Sequence, residues 1–222
     1  MTKKQFLERF EIKETQTLEN KSSIKEDGAN LKFIHNQTEE VCIQAVQQSG
    51  YYLKYVHNQT KKICMEAVKT NPYALRYVHN QTKEMCLEAV KRNGMAFPFV
   101  ENKDDDIRLE AIKSNPGILG AIQNPTKEML MTAVKKDGLS IQFIFPKSLR
   151  TNDICLEAVK QNPESIKYIE NPSLEVCLEA VRRRPTVLCF IHNQTQKICL
   201  EAMNTNDYSK AVKFIDWSVF DD

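Results

Sequence analysis

Apolar and polar positions along the chain recur at a fixed interval. In Ile63-Cys64-Met65-Glu66-Ala67-Val68-Lys69, apolar or small residues stand four, three and two places before the alanine, at it, and one place after it. Glu66 and Lys69 fall outside that set. Such spacing covers one wide face of a helix. The pattern, aligned on its alanine, returns at Ala45, Ala67, Ala89, Ala111, Ala133, Ala158, Ala180 and Ala202. Neighbouring alanines are 22 residues apart, except for 25 between Ala133 and Ala158. Three residues are therefore inserted near 146–152, where Leu149 takes the position that holds Asn elsewhere.

Each unit predicts two short helices. The first opens after an Asn of good N-capping type, at Asn36, Asn58, Asn80, Asn102, Asn124, Asn171 and Asn193. Pro125 and Pro172 follow that Asn and are expected at the first helical position, where a missing N–H costs nothing. The helix is expected to stop, and a second short segment to start, at Asn71-Pro72, Asn93-Gly94, Asn115-Pro116, Asp137-Gly138 and Asn162-Pro163. That segment has room for about two turns, α or 3₁₀. A pair this small cannot bury its apolar face alone, whereas stacked pairs share a continuous core. The fold expected is all-α: an α-solenoid of about eight 22-residue two-helix repeats with degenerate capping units. Residues 1–34 form an N-terminal helix and degraded repeat with Ser23 in the alanine position, 35–206 the array, and 207–222 a C-terminal cap containing Trp217 and Phe220.

The run Cys-Leu-Glu-Ala-Val-Lys-x-Asn-(Pro/Gly), followed by Leu and an aromatic, is seen with small changes at Cys86–Val100 and Cys155–Ile169. It resembles a family of short repeats catalogued as a domain of unknown function, abundant in giant DNA viruses of amoebae and present in some bacteria. The resemblance covers roughly residues 27–215. It implies an all-helical repeat protein, with the host cytoplasm or a virion as its place if the protein is viral, and it brings no catalytic residues. In shape the unit is also similar to leucine-rich variant repeats.

Chemistry-bearing residues mostly share one position per unit. Cys42, Cys64, Cys86, Cys155, Cys177 and Cys199 stand three residues before the alanine, with Arg108 and Leu130 in the remaining units. Equivalent atoms in stacked units lie roughly 10 Å apart, too far for a disulfide or a shared zinc, so these thiols read as core. Cys189 sits where other units carry Lys54, Arg76, Pro98, Gly120, Gln142 and Lys167 and is the candidate exposed thiol. His35, His57, His79 and His192 share one polar position; His57 and His79 are candidates for a binding ridge. The aromatics Phe33, Tyr55, Tyr77, Phe99, Phe143, Tyr168 and Phe190 are expected in the core.

Charge lies in stripes. Glu66, Glu88, Glu110, Glu157 and Glu179 precede Lys69, Lys91, Lys113, Lys160 and Arg182 by three residues, as i,i+3 pairs, and Glu201 continues the acidic stripe. Lys135 continues the basic stripe, and Arg92, Lys136 and Arg183, one position further, add a local positive excess. Lys69, Lys91, Arg92, Lys113, Lys135, Lys136, Lys160, Arg182 and Arg183, with His57 and His79, form the candidate binding surface.

Composition narrows the classes. With 31 Lys+Arg against 29 Asp+Glu the net charge is +2, without the strong basic excess of a dedicated nucleic-acid binder. No apolar run approaches membrane-spanning length, and the first ten residues lack a signal-peptide core, so an intracellular protein with reduced thiols is expected. No acid, base, nucleophile or metal set converges in the pattern. The function expected is a non-catalytic protein–protein interaction or scaffold module with no cofactor and no small-molecule substrate. Nucleic-acid binding through the Lys/Arg stripe is the alternative.

Overall fold

The computed structural model describes residues 16–221, and the sequence reading for 1–15 lies outside them. Residues 16–26 are helical and lead into a 3₁₀ helix, Gly28–Phe33. Seven repeats follow, each an α-helix and a six-residue 3₁₀ helix. Repeat 1 is Glu39–Gln48 with Gly50–Tyr55, repeat 2 Lys61–Thr70 with Pro72–Tyr77, and repeat 3 Lys83–Arg92 with Gly94–Phe99. Repeat 4 is Asp105–Ser114 with Pro116–Ala121, repeat 5 Lys127–Lys136 with Gly138–Phe143, repeat 6 Asn152–Gln161 with Pro163–Tyr168, and repeat 7 Leu174–Arg183 with Pro185–Phe190. Repeat 8 pairs Gln196–Met203 with a short α turn, Tyr208–Ala211, running into a 3₁₀ turn, Val212–Phe214. Trp217–Phe220 forms a last 3₁₀ turn whose two rings lie 5.9 Å apart, with Trp217 exposed. Among the described residues there is no strand. The insertion folds as a 3₁₀ turn, Lys147–Leu149, behind a cis Phe145–Pro146 peptide.

The helices start two residues later than the Asn ladder predicts. Thr38, Thr60, Thr82, Thr126 and Thr195, with Ser173, are the N-caps, and each hydroxyl accepts from the third N–H of its helix at 3.3–3.4 Å. Asp104 does the same for Ile107 at 3.0 Å. A γ-oxygen one place before the helix reaches that N–H, and an amide two places further back does not. Asn36, Asn58, Asn80, Asn124, Asn171 and Asn193 are therefore exposed residues of the preceding bend, not caps. Pro125 and Pro172 likewise precede their caps, and Asn124 and Asn171 take φ of 50°, a left-handed conformation that Asn tolerates. At the other end the sequence expectation holds. Asn71, Asn93, Asn115, Asp137 and Asn162 cap the 3₁₀ helices through their side-chain oxygens.

Burial follows the repeat. All eight pattern alanines are fully buried, as are Leu31, Leu53, Leu75 and Ile141 from the middle of the 3₁₀ helices. Small alanines let consecutive α-helices pack closely within each of two compact units, which divide between Ser114 and Asn115. In the first unit a Cβ on Gly50 would lie 2.4 Å from the Ala67 carbonyl oxygen; in the second, a Cβ on Gly138 would lie 2.3 Å from that of Ala158. At these positions glycine is required by the closeness of the next helix.

Candidate functional site

The most regular polar contact between repeats is made by a glutamine. Gln37, Gln59 and Gln81 immediately precede the capping threonines. Each carboxamide NH₂ donates to a carbonyl of the next repeat: Tyr55, Tyr77 or Phe99, all at 2.8 Å. Each carboxamide oxygen accepts from the N–H two residues on: His57, His79 or Glu101, at 2.9–3.1 Å. Gln37 and Gln81 also donate back to Leu31 and Leu75, and the buried thiols of Cys42, Cys64 and Cys86 point at the same oxygens at 3.4–3.7 Å. Gln37 and Gln81 thus each bond to four groups, two carbonyls, an N–H and a thiol, and Gln59 to three. Gln194 repeats the arrangement in the second unit with Leu188, Phe214, Asp216 and Cys199.

Elsewhere in the second unit the position changes hands. Arg150 fills it in repeat 6 and donates to Ile144, Gln142 and Tyr168 carbonyls, while Cys155 turns to the Arg150 carbonyl at 3.3 Å. Pro125 and Pro172 fill it in repeats 5 and 7. Beside Pro172 lies a cleft of about 720 Å³, whose walls include Phe145, Arg150, Cys177, Phe190 and His192. Clefts at the glutamine-bearing positions are smaller, about 260 Å³ near Gln37 and about 430 Å³ near Gln59.

The candidate basic surface divides. Lys69, Lys91, Lys113, Lys135, Lys160 and Arg182 are exposed near the C-terminal ends of the α-helices, whereas His57 and His79 line clefts at the N-terminal ends. A ten-residue helix separates those ends by about 15 Å, so the two sets form no common ridge. Of the expected i,i+3 pairs only Glu110–Lys113 closes among the described residues, at 3.4 Å. Arg182 reaches Glu201 of the next repeat at 2.6 Å, while Glu179 on its own helix is paired with Arg183.

The local positive excess lies opposite prolines of the preceding repeat. Gly28, Gly94 and Gly138 carry an N–H that the next repeat must satisfy, and Gln48, Ser114 and Gln161 accept it at 2.6–2.9 Å. Where the same position is Pro72, Pro116 or Pro163 there is no N–H, and the facing position holds Arg92, Lys136 or Arg183 instead. Arg92 and Arg183 then pair with Glu88 and Glu179 at 2.5 Å, and Arg184 pairs with Glu164. A second ionic ladder, unseen in the sequence reading, joins the first helical residue of one repeat to the second of the next: Glu39–Lys62, Lys61–Glu84, Lys83–Asp106 and Lys127–Asp153. Its signal was an alternation of sign between those two positions.

The cysteines behave as core residues. All six pattern thiols are buried and unbridged, and burial pushes Cys42 and Cys155 up to about 11. Cys189 is exposed. Among the described residues no three His, Cys, Asp or Glu side chains converge as metal ligands. No described helix is long and apolar enough to cross a membrane.

The aromatic position is not core. Phe33, Phe143 and Phe190 are exposed, and Tyr55, Tyr77, Phe99 and Tyr168 are half-buried. As the last residue of its 3₁₀ helix, each ring lies at the border of the buried face. In the first unit Tyr77 and Phe99 make edge contacts with Tyr51 and Tyr73 of the preceding repeat, at 6.3 and 6.0 Å. Lys32, Lys54 and Arg76 lie over Phe33, Tyr55 and Phe99 at 4.6, 4.8 and 4.0 Å.

Fold and site together define an all-α protein of tandem helical repeats, joined by a side-chain amide that some repeats keep and others replace. The family model described as Domain of unknown function (DUF4116) matches residues 38–83, 82–122 and 126–174, more than half of the chain. The chain belongs to that family. No curated protein and no solved structure matches it.

Proposed function

We propose that the chain is a non-catalytic interaction module on which another protein docks. The observation that carries this reading is the aromatic row of the first unit, with Phe33, Tyr55 and Phe99 each covered by a cation. Tyr, Phe and Arg are the residues over-represented at the centres of protein interfaces. Repetition sets them out at a regular interval, so one partner can engage several at once. Buried free thiols fit a reducing compartment such as the cytoplasm.

The test is affinity capture from the native cell with the wild-type chain and with a Tyr77→Ala, Phe99→Ala double variant of unchanged helical content. A protein retained by the first and lost by the second supports the reading. A reproducible turnover by the purified chain overturns it. Binding to DNA or RNA that falls linearly with log salt concentration favours the nucleic-acid alternative. Within the basic stripe that motivates that alternative, Arg92, Arg182, Arg183 and the neighbouring Arg184 are paired with carboxylates.

A further inference from the structure

Repeat 7 keeps the groups that hold a glutamine elsewhere but has no glutamine of its own. By the repeat register, Ile166 C=O matches Leu31 and Leu75, Cys177 matches Cys42 and Cys86, Phe190 C=O matches Tyr55 and Phe99, and His192 N–H matches His57 and Glu101. All four residues line the 720 Å³ cleft beside Pro172. The proline ring carries no amide, and the Cys177 thiol points at the Pro172 carbonyl at 3.8 Å. Among the described residues neither the Phe190 carbonyl nor the His192 N–H has a hydrogen-bond partner. At Pro125, by contrast, the cysteine position holds buried Leu130, so an apolar group replaces the thiol and the polar set is incomplete.

The molecule itself therefore shows what these four groups accept: a carboxamide, with two donors for the carbonyls and one oxygen for the N–H and thiol. A carboxylate would turn oxygens toward two carbonyl oxygens, and an alkyl chain would leave the Phe190 carbonyl and the His192 N–H unpaired. The cleft is larger than one side chain and within the range that takes a short peptide segment. Phe145 and Phe190 are exposed at its rim and give that segment apolar contact. The adjoining position holds Arg150, which donates and cannot accept, so the Glu170 N–H is also open to a carbonyl of the ligand backbone.

We propose that this cleft binds a glutamine side chain presented by an extended segment of a partner protein, in the place that Gln37, Gln59 and Gln81 fill from within. The proposal rests on the interaction reading and gives it a site and a specificity. The test is backbone-amide NMR of the full chain with N-acetylglutamine methylamide, used at about 50 mM to populate a site of millimolar Kd. The His192 and Glu170 N–H resonances are expected to shift with this probe and not with the glutamate or norleucine analogues. Pro172→Gln, which supplies its own carboxamide, is expected to weaken the response at least about tenfold, a loss of about 1.4 kcal/mol. Pro172→Ala is expected to keep it. Equal shifts with the glutamate analogue, no shift at these residues, or a full response in folded Pro172→Gln protein would overturn the assignment. The comparison among probes uses wild-type protein and stands even if a variant fails to fold. A captured partner that binds wild type and Pro172→Gln equally removes the cleft assignment and leaves the interaction reading. Probe binding without any captured partner does the reverse.

Discussion

Repeats 1–3 and repeats 5–7 present the same backbone groups at each junction and fill them differently. In the first set Gln37, Gln59 and Gln81 close the carbonyl, the N–H and the thiol with one amide. In the second set Pro125, Arg150 and Pro172 stand at that position, and the large cleft lies there. Both sets keep the fully buried alanines and a capping hydroxyl at most α-helix starts. The buried pattern thus specifies the stack, and a single half-exposed position decides whether a junction is closed from within or left accessible to a ligand.

That separation is broken most severely by a change that ignores it. Gly50→Ala and Gly138→Ala each force a methyl into the carbonyl of the next helix and are expected to cost about 3 kcal/mol alike in chemical denaturation, near the upper range for overpacking. A large difference between them would mean the two units are not built on one packing rule. Arg150→Ala is next, with an expected loss of about 2 to 3 kcal/mol because three carbonyls lose a charged donor. Gln59→Ala should cost about 2 kcal/mol, leaving Tyr77 C=O and His79 N–H unpaired. Pro172→Gln is expected to act in the opposite direction, raising stability by about 1 kcal/mol.

The smallest effect concerns the ionic ladder. Lys127 and the Thr151 hydroxyl hold the Asp153 carboxyl down at about 2, below its ordinary value of 3.8. A depressed carboxylate stabilises the fold above its unfolded pKa, and that contribution is lost as pH falls through the folded value. Asp153→Asn should therefore be slightly less stable than wild type at pH 5 to 7, with the difference fading between about pH 4 and pH 2. Asp153 is exposed, so the difference stays small at moderate salt.

Much of this was legible in the residues. A 22-residue period, buried alanines, core thiols, the exposed Cys189 and the Asn/Asp-Gly/Pro breaks each follow from one local rule applied repeatedly. The start of the α-helix did not, because His-Asn-Gln-Thr offers two good capping residues and only backbone direction chooses Thr60 over Asn58. Within a single unit the Arg92, Lys136 and Arg183 excess suggests a surface for a ligand. It stands opposite Pro72, Pro116 and Pro163 of the neighbouring unit, which lack the N–H that Gln48, Ser114 and Gln161 accept from Gly28, Gly94 and Gly138. Recurrence beside Leu and Val suggests core aromatics, yet recurrence fixes a side chain's place and not its depth. The role of Gln59 is not legible in the sequence, since its partners lie 18 and 20 residues away and a cross-repeat contact leaves no mark inside one unit.

Native-state hydrogen exchange at two equivalent amides tests the central claim most directly. His79 N–H is held by Gln59, whereas His192 N–H faces Pro172 and has no such acceptor. The account predicts strong protection at His79 and little at His192, with Gln59→Ala removing the first and Pro172→Gln creating the second. Equal protection of the two amides in the wild-type chain, or no change at either in the variants, would contradict it.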